Sequence, residues 1–138
     1  MSDDTEMKMA AQESDQRLFT AASIFWGFYF VNTKTRVDYC DERNVDLTPF
    51  VQAFTKEHAR DHSAAEAVFR KAGMDPNTLV EQVGSELRKN VDQDMIDLAT
   101  NEQVPVDQTC SLLNEHAEEF AKIIQLPPHV KQALITSN

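Results

Sequence analysis

Apolar residues recur at helical spacing in four successive stretches of this chain, and the residues between them carry turn and cap signals. The first stretch opens near Ser14. Read as a helix, it places Leu18, Ala21, Phe25, Phe28, Asn32, Thr35 and Tyr39 on one stripe and Phe19, Trp26, Phe30 and Val37 on a second. At its centre the segment SIFWGFYFV (residues 23–31) holds five aromatic residues in nine positions. Such a run is also compatible with a buried strand, because Ile24–Val31 lacks alternation and is rich in strand formers. Its flanks, however, contain no turn-forming glycine or proline, so the run lies inside one long helical pattern. A helix apolar on two sides is either central to a bundle or meets a partner with one of them.

The second stretch starts at Thr48-Pro49, a capping residue followed by proline at the first helical position. Phe50, Phe54, Ala65, Val68, Phe69 and Ala72 form its stripe, and Gly73 stands where a left-handed terminal residue belongs. Asp75-Pro76 repeats the start signal for a third stretch with Leu79, Val80, Val83, Leu87, Val91 and Leu98. Gly84 lies inside that stretch, at a cost of about 1 kcal/mol relative to alanine. A polar break over 100–103 and Val104-Pro105 precede the fourth stripe, Cys110, Leu113, Ala117, Phe120 and Ile124. Pro127-Pro128 stops it, and a short extra helix is expected over His129–Ile135.

Four helices joined by short connections are expected to close into an all-α, up-down-up-down four-helix bundle. The expected organisation is a single helical domain over residues 17–138 behind a flexible acidic tail at 1–16. In that topology the end of helix one and the start of helix four lie together, which brings Cys40 and Cys110 within reach of each other. A disulfide between them is therefore expected. It would close about 70 residues and stabilise by about 4 kcal/mol in the chain-entropy model. Such a bond points to an oxidising compartment, periplasmic or extracellular; two buried thiols in a cytoplasmic protein are the alternative.

Composition narrows the function classes. With 138 residues, 41% of them hydrophobic, the chain is long enough to bury a core. Its 23 acidic against 13 basic residues give a net charge of −10, which repels nucleic acid and anionic membranes and leaves another protein, or a second copy, as the expected partner. Between Arg17 and Lys34 lie sixteen uncharged residues, fewer than the roughly 20 that a spanning helix needs, so no membrane insertion is expected. Residues 1–16 carry five acids and do not read as a signal peptide.

Candidate chemistry is sparse. In KEHARDHSAAE (residues 56–66), His58 and His62 stand four apart, the spacing with which two imidazoles share a metal, and Glu66 continues the row. The plainer alternative is a buried His58–Asp61 pair with His62 at the surface. HARDH resembles the zinc-protease motif but carries Ala59 where the general base belongs, which excludes that chemistry. There is no nucleophile elbow or glycine-rich phosphate loop, and Cys40 sits among acids that disfavour a thiolate. Lys34, Arg36 and Arg43 read as surface ion-pairing residues. The expectation is a non-enzymatic, exported protein without a cofactor that binds another protein, with Trp26 and Phe30 of the second stripe as contact residues. The alternative is a metal- or small-ligand-binding bundle that uses His58 and His62.

The helix ending in RVDYC, the Gly73-Met74 turn and the later QTCSLLNE resemble two sets of small exported bacterial proteins. One is the pilotins of type II secretion; the other is the periplasmic immunity proteins that block type VI amidase effectors. The resemblance covers about residues 28–115. It implies a disulfide-linked helical domain with an adaptor or immunity role, and it carries across Cys40 and Cys110 but no binding residue. The 69 residues between the cysteines are long for a pilotin, and no lipobox cysteine stands near the N-terminus.

Overall fold

The structure is a computed structural model that describes residues 14–136, and no strand occurs among them. The expected tail at 1–16 lies outside the described residues except for 14–16, which already open the first helix. Asp15 in that first turn complements the partial positive charge of a helix start. The elements are α1 (Ser14–Phe30), a π-turn (Val31–Thr35), α2 (Arg36–Asp41), α3 (Thr48–Glu57), α4 (Ala59–Ala72), α5 (Pro76–Gln82) and α6 (Gly84–Glu102). A 3₁₀ turn (Val106–Gln108), α7 (Thr109–Glu115), α8 (Ala117–Ile123) and α9 (Pro128–Thr136) follow.

The all-α class is thus as expected, but the helices are shorter than the apolar stripes. Three stripes are interrupted at single residues: His58 (φ −105°, ψ 16°), Val83 (φ −115°, ψ 14°) and His116 (φ −120°, ψ 41°). In each case a backbone bond from residue i+4 still reaches the bend carbonyl, from His62, Leu87 and Phe120 respectively. Gly84 follows Val83 and supplies the local flexibility there; neither glycine nor proline stands beside His58 or His116.

Terminal signals behave as their chemistry requires. Gly73 takes a left-handed conformation (φ 68°), and Met74 N–H closes α4 on the Phe69 carbonyl at 3.0 Å. Asp75 accepts the Asn77 N–H at the start of α5. At α3 the cap is not Thr48 but Asp46, whose carboxylate accepts both the Thr48 N–H (2.9 Å) and the Thr48 hydroxyl (2.5 Å). Gln103 (φ 57°) ends α6 in the same left-handed manner without being glycine.

Contacts along the chain gather into two compact units. The first takes α1 up to Tyr29, the stretch His58–Gln82 and everything from Leu126 onward; the second takes Phe30–Glu57 and Val83–Gln125. In the first, Ala21, Ala22 and Phe25 of α1 pack with Ala65 and Phe69 of α4 and with Leu126, Val130 and Leu134. In the second, Leu47, Phe50 and Phe54 are buried with Val91 and Met95 of α6, Leu113 of α7 and Ala121 of α8. Cys40 and Cys110 are joined as expected, with Cα atoms 5.8 Å apart and both residues fully buried. Asn114 ties α7 to the start of α3: its amide donates to the Asp46 carbonyl (2.8 Å) and its oxygen accepts the otherwise unpaired Phe50 N–H.

Candidate functional site

The two stripes of the first helical stretch are unequally covered. On the first, Ala21, Phe25, Asn32, Thr35 and Tyr39 are buried, and Leu18 and Phe28 are half-buried. On the second, Phe19, Trp26, Phe30 and Val37 are each only half-buried. Helix periodicity sets this division, because residues three and four apart share a face. Trp26 falls in the first unit and Phe30 in the second.

Around Trp26 the first unit assembles an aromatic cluster on a histidine. The His62 ring lies 5.1 Å from Trp26 in a stacked arrangement, 4.5 Å from Tyr29 and 6.5 Å from Phe25, edge-on. Phe69 meets Trp26 (5.7 Å) and Phe19 (5.6 Å) edge-to-face. These are the separations at which aromatic pairs attract beyond simple burial. Burial raises the Tyr29 phenol above its ordinary pKa, so it stays neutral across the physiological range.

The outer edge of the cluster is open. Trp26 Nε1 donates a long hydrogen bond (3.5 Å) to Asn77 Oδ1 of α5, and Met74, 43% exposed, stands on the turn between α4 and α5. Together with Phe69, Glu66 and Arg70 they line a shallow groove of about 290 Å³. Glu66 and Arg70 pair with each other at 3.0 Å, and the Asp75 carboxylate, which accepts the Asn77 N–H, also lines the groove, so it offers apolar contact, an amide and one acidic group. Sequence reasoning reached Trp26 but not Met74 or Asn77. The Gly73-Met74-Asp75-Pro76 punctuation was the available signal, since a residue held on a tight turn between two helices is prone to exposure.

His58 and His62 are placed differently from each other. His58 is buried at the bend before α4, with Phe28 edge-on at 5.4 Å, whereas His62 is the half-buried centre of the aromatic cluster. Asp61 is buried beside them. Its Oδ2 meets Lys131 Nζ of α9 at 3.7 Å, and its Oδ1 accepts no hydrogen bond. Among the described residues, no three His, Cys, Asp or Glu side chains gather closely enough to hold a metal ion.

Of the basic residues near the end of the first stretch, Lys34 is exposed and pairs with Asp38 (3.3 Å) and Arg43 pairs with Asp107 (3.8 Å), as expected, but Arg36 differs. Arg36 is buried, not at the surface. It donates to Asp94 Oδ2 (2.7 Å), Asn32 Oδ1 (3.2 Å) and Met95 Sδ (3.3 Å). Arg36 stands four residues after Asn32 and three before Tyr39, so helical spacing places it on the buried face with Asn32, Thr35 and Tyr39; its N–H reaches back to the Val31 carbonyl and closes the π-turn. Arg43 lies over the Tyr39 ring at 3.6 Å, and Arg88 holds both carboxylate oxygens of Glu42 at 2.6 and 2.7 Å, which lowers the Glu42 pKa.

No family model, curated protein or solved structure matches this chain. Among the described residues, no helix is long and apolar enough to cross a membrane.

Proposed function

We propose that this is a non-enzymatic, exported helical protein that binds another protein through the groove beside Trp26. The observation that carries the reading is the half-buried indole, fixed from behind by His62 and Phe69 and open in front beside the exposed Met74. An aromatic ring already immobilised loses little entropy on binding, which is what interface anchors require. Phe30, half-buried on the same stripe, is the second contact residue of this reading. Export is supported by the buried Cys40–Cys110 bond, since such bonds persist in oxidising compartments. An adaptor or immunity-type role rests on the resemblance of the cysteine-bearing segments, and the up-down-up-down order of the four helical stretches belongs to the same reading. That order is supported by the bond between the end of the first stretch and the start of the fourth.

The test is capture of a partner from the compartment in which the protein resides, followed by affinity measurement with purified partner. Trp26→Ala is expected to raise Kd at least about tenfold. Because Trp26 also packs inside the cluster, Met74→Asp serves as the second variant: its side chain is exposed, so the melting temperature should hold while binding weakens. A partner bound equally well by folded Met74→Asp and Trp26→Ala proteins would defeat the proposal.

A further inference from the structure

Charge is divided unevenly between the two units. The described part of the first holds five basic and five acidic residues. Residues 83–125, the larger part of the second, hold nine acidic against three basic, a net −6 out of the chain's −10. Within this acidic stretch lies the most exposed large apolar side chain of the described residues, Ile123, at 72%.

Helix α8 shows why Ile123 is left out. Ala121 is buried and Ala117 and Ile124 are half-buried on the side that packs, and α8 lies against α3. At 100° per residue, Glu119 and Ile123 fall together on the opposite side, beside the half-buried Phe120. One to two turns back, the bend at His116 leaves a hollow of about 330 Å³ lined by Glu115, Glu118 and Glu119 together with Asn114 and His116, whose Nδ1 lies 3.9 Å from Glu119 Oε2. The face therefore presents an isoleucine followed, along one ridge, by a hollow of carboxylates. Leaving such an isoleucine in water forgoes about 2 kcal/mol of burial.

We infer that the outer face of α8 docks a basic amphipathic segment of a partner protein, an apolar side chain covering Ile123 while Lys or Arg residues about two turns away enter the hollow formed by Glu115, Glu118 and Glu119. Charge complementarity selects the occupant. A second copy of this chain would bring net −10 against the most acidic stretch, and an acidic or neutral segment would leave the carboxylates unanswered. Apolar anchors at helical spacing flanked by opposite charge are the mode in which an amphipathic helix binds a groove or ridge. This face lies in the second unit, and the inference stands whether or not the Trp26 groove is used.

The probe is a synthetic 14-residue amphipathic helix of leucine and lysine, titrated into the full-length protein by calorimetry, with a leucine–glutamate helix of the same pattern as the control. Binding of the lysine peptide but not the glutamate peptide is expected, with Kd rising about tenfold in Ile123→Ser and again in Glu115→Gln/Glu119→Gln. All three side chains are exposed, so the variants should fold and melt as the wild type does. Unchanged affinity in either variant, or no binding of the lysine peptide, would overturn the assignment. Loss of peptide binding in Met74→Asp, with Ile123→Ser unaffected, would place the contact on the Trp26 groove and overturn the α8 assignment alone.

Discussion

Arg36 shows how much one side chain depends on its surroundings. The residue is 3% exposed, yet its carboxylate partner, Asp94, has a side chain 58% exposed. The two ends of the pair therefore differ in cost. Removing Arg36 releases Asp94 to water, whereas removing Asp94 strands a buried cation with only Asn32 and Met95 as acceptors. Buried pairs broken on one side lose about 3–5 kcal/mol; because Asp94 is largely hydrated, Asp94→Ala is expected to cost less, about 2 kcal/mol. The double variant Arg36→Met/Asp94→Ala, which removes the stranded charge and keeps the volume, should be more stable than Asp94→Ala alone. Urea unfolding of the two variants and the wild type measures the difference. A double variant no more stable than Asp94→Ala would mean that the cation is not what the site must compensate.

At the scale of elements, the start of α3 rests on Asp46, which caps it from two residues upstream of Thr48. Those hydrogen bonds hold the Asp46 pKa below its ordinary value. A carboxylate whose pKa is lower in the folded state stabilises above its ordinary pKa, and that contribution disappears as pH falls through the lowered value. The melting temperature of Asp46→Ala should thus lie furthest below wild type near neutral pH, and the gap should narrow in acid. A gap independent of pH would show that the charge of Asp46 does not make the cap. Where a residue type enforces its own geometry, elements were legible in the sequence: Gly73 ends α4 and Pro76 begins α5, while periodicity separated the two stripes of the first stretch without telling which would be the more buried. The bends at His58 and His116 were not legible, because no glycine or proline marks them and the apolar period runs on across each. Arg36 shares the face of Asn32, Thr35 and Tyr39 by spacing, but a cation is expected at the surface unless paired, and its acceptors Asp94 and Met95 are brought to it only by tertiary packing. Trp26 was found by periodicity, but the open groove beside it depends on Met74 and Asn77, which only tertiary packing brings to it.

At the scale of the molecule, the Cys40–Cys110 bond closes the longest constrained loop of the chain, with a sequence separation of 70. Both residues are fully buried in the second unit, next to Tyr39 and Thr109, which are buried as well. Loop closure of that length stabilises by about 4 kcal/mol, acting mainly on the unfolded chain. Against the 5–15 kcal/mol typical of a whole domain, that is a large share. Cys40→Ala/Cys110→Ala protein is therefore expected to unfold at a clearly lower urea concentration than the oxidised wild type, while keeping its helical signal in the absence of denaturant. Burial adds a kinetic consequence. A thiolate reductant must reach a sulfur that is shielded from solvent, so reduction has to follow unfolding rather than precede it. Dithiothreitol should leave the bond intact in native buffer over hours and cleave it at a rate that rises with urea as the chain opens. Rapid reduction without denaturant would show that the second unit opens locally around the bond, and the stabilisation assigned to it would then fall on a segment rather than on the molecule.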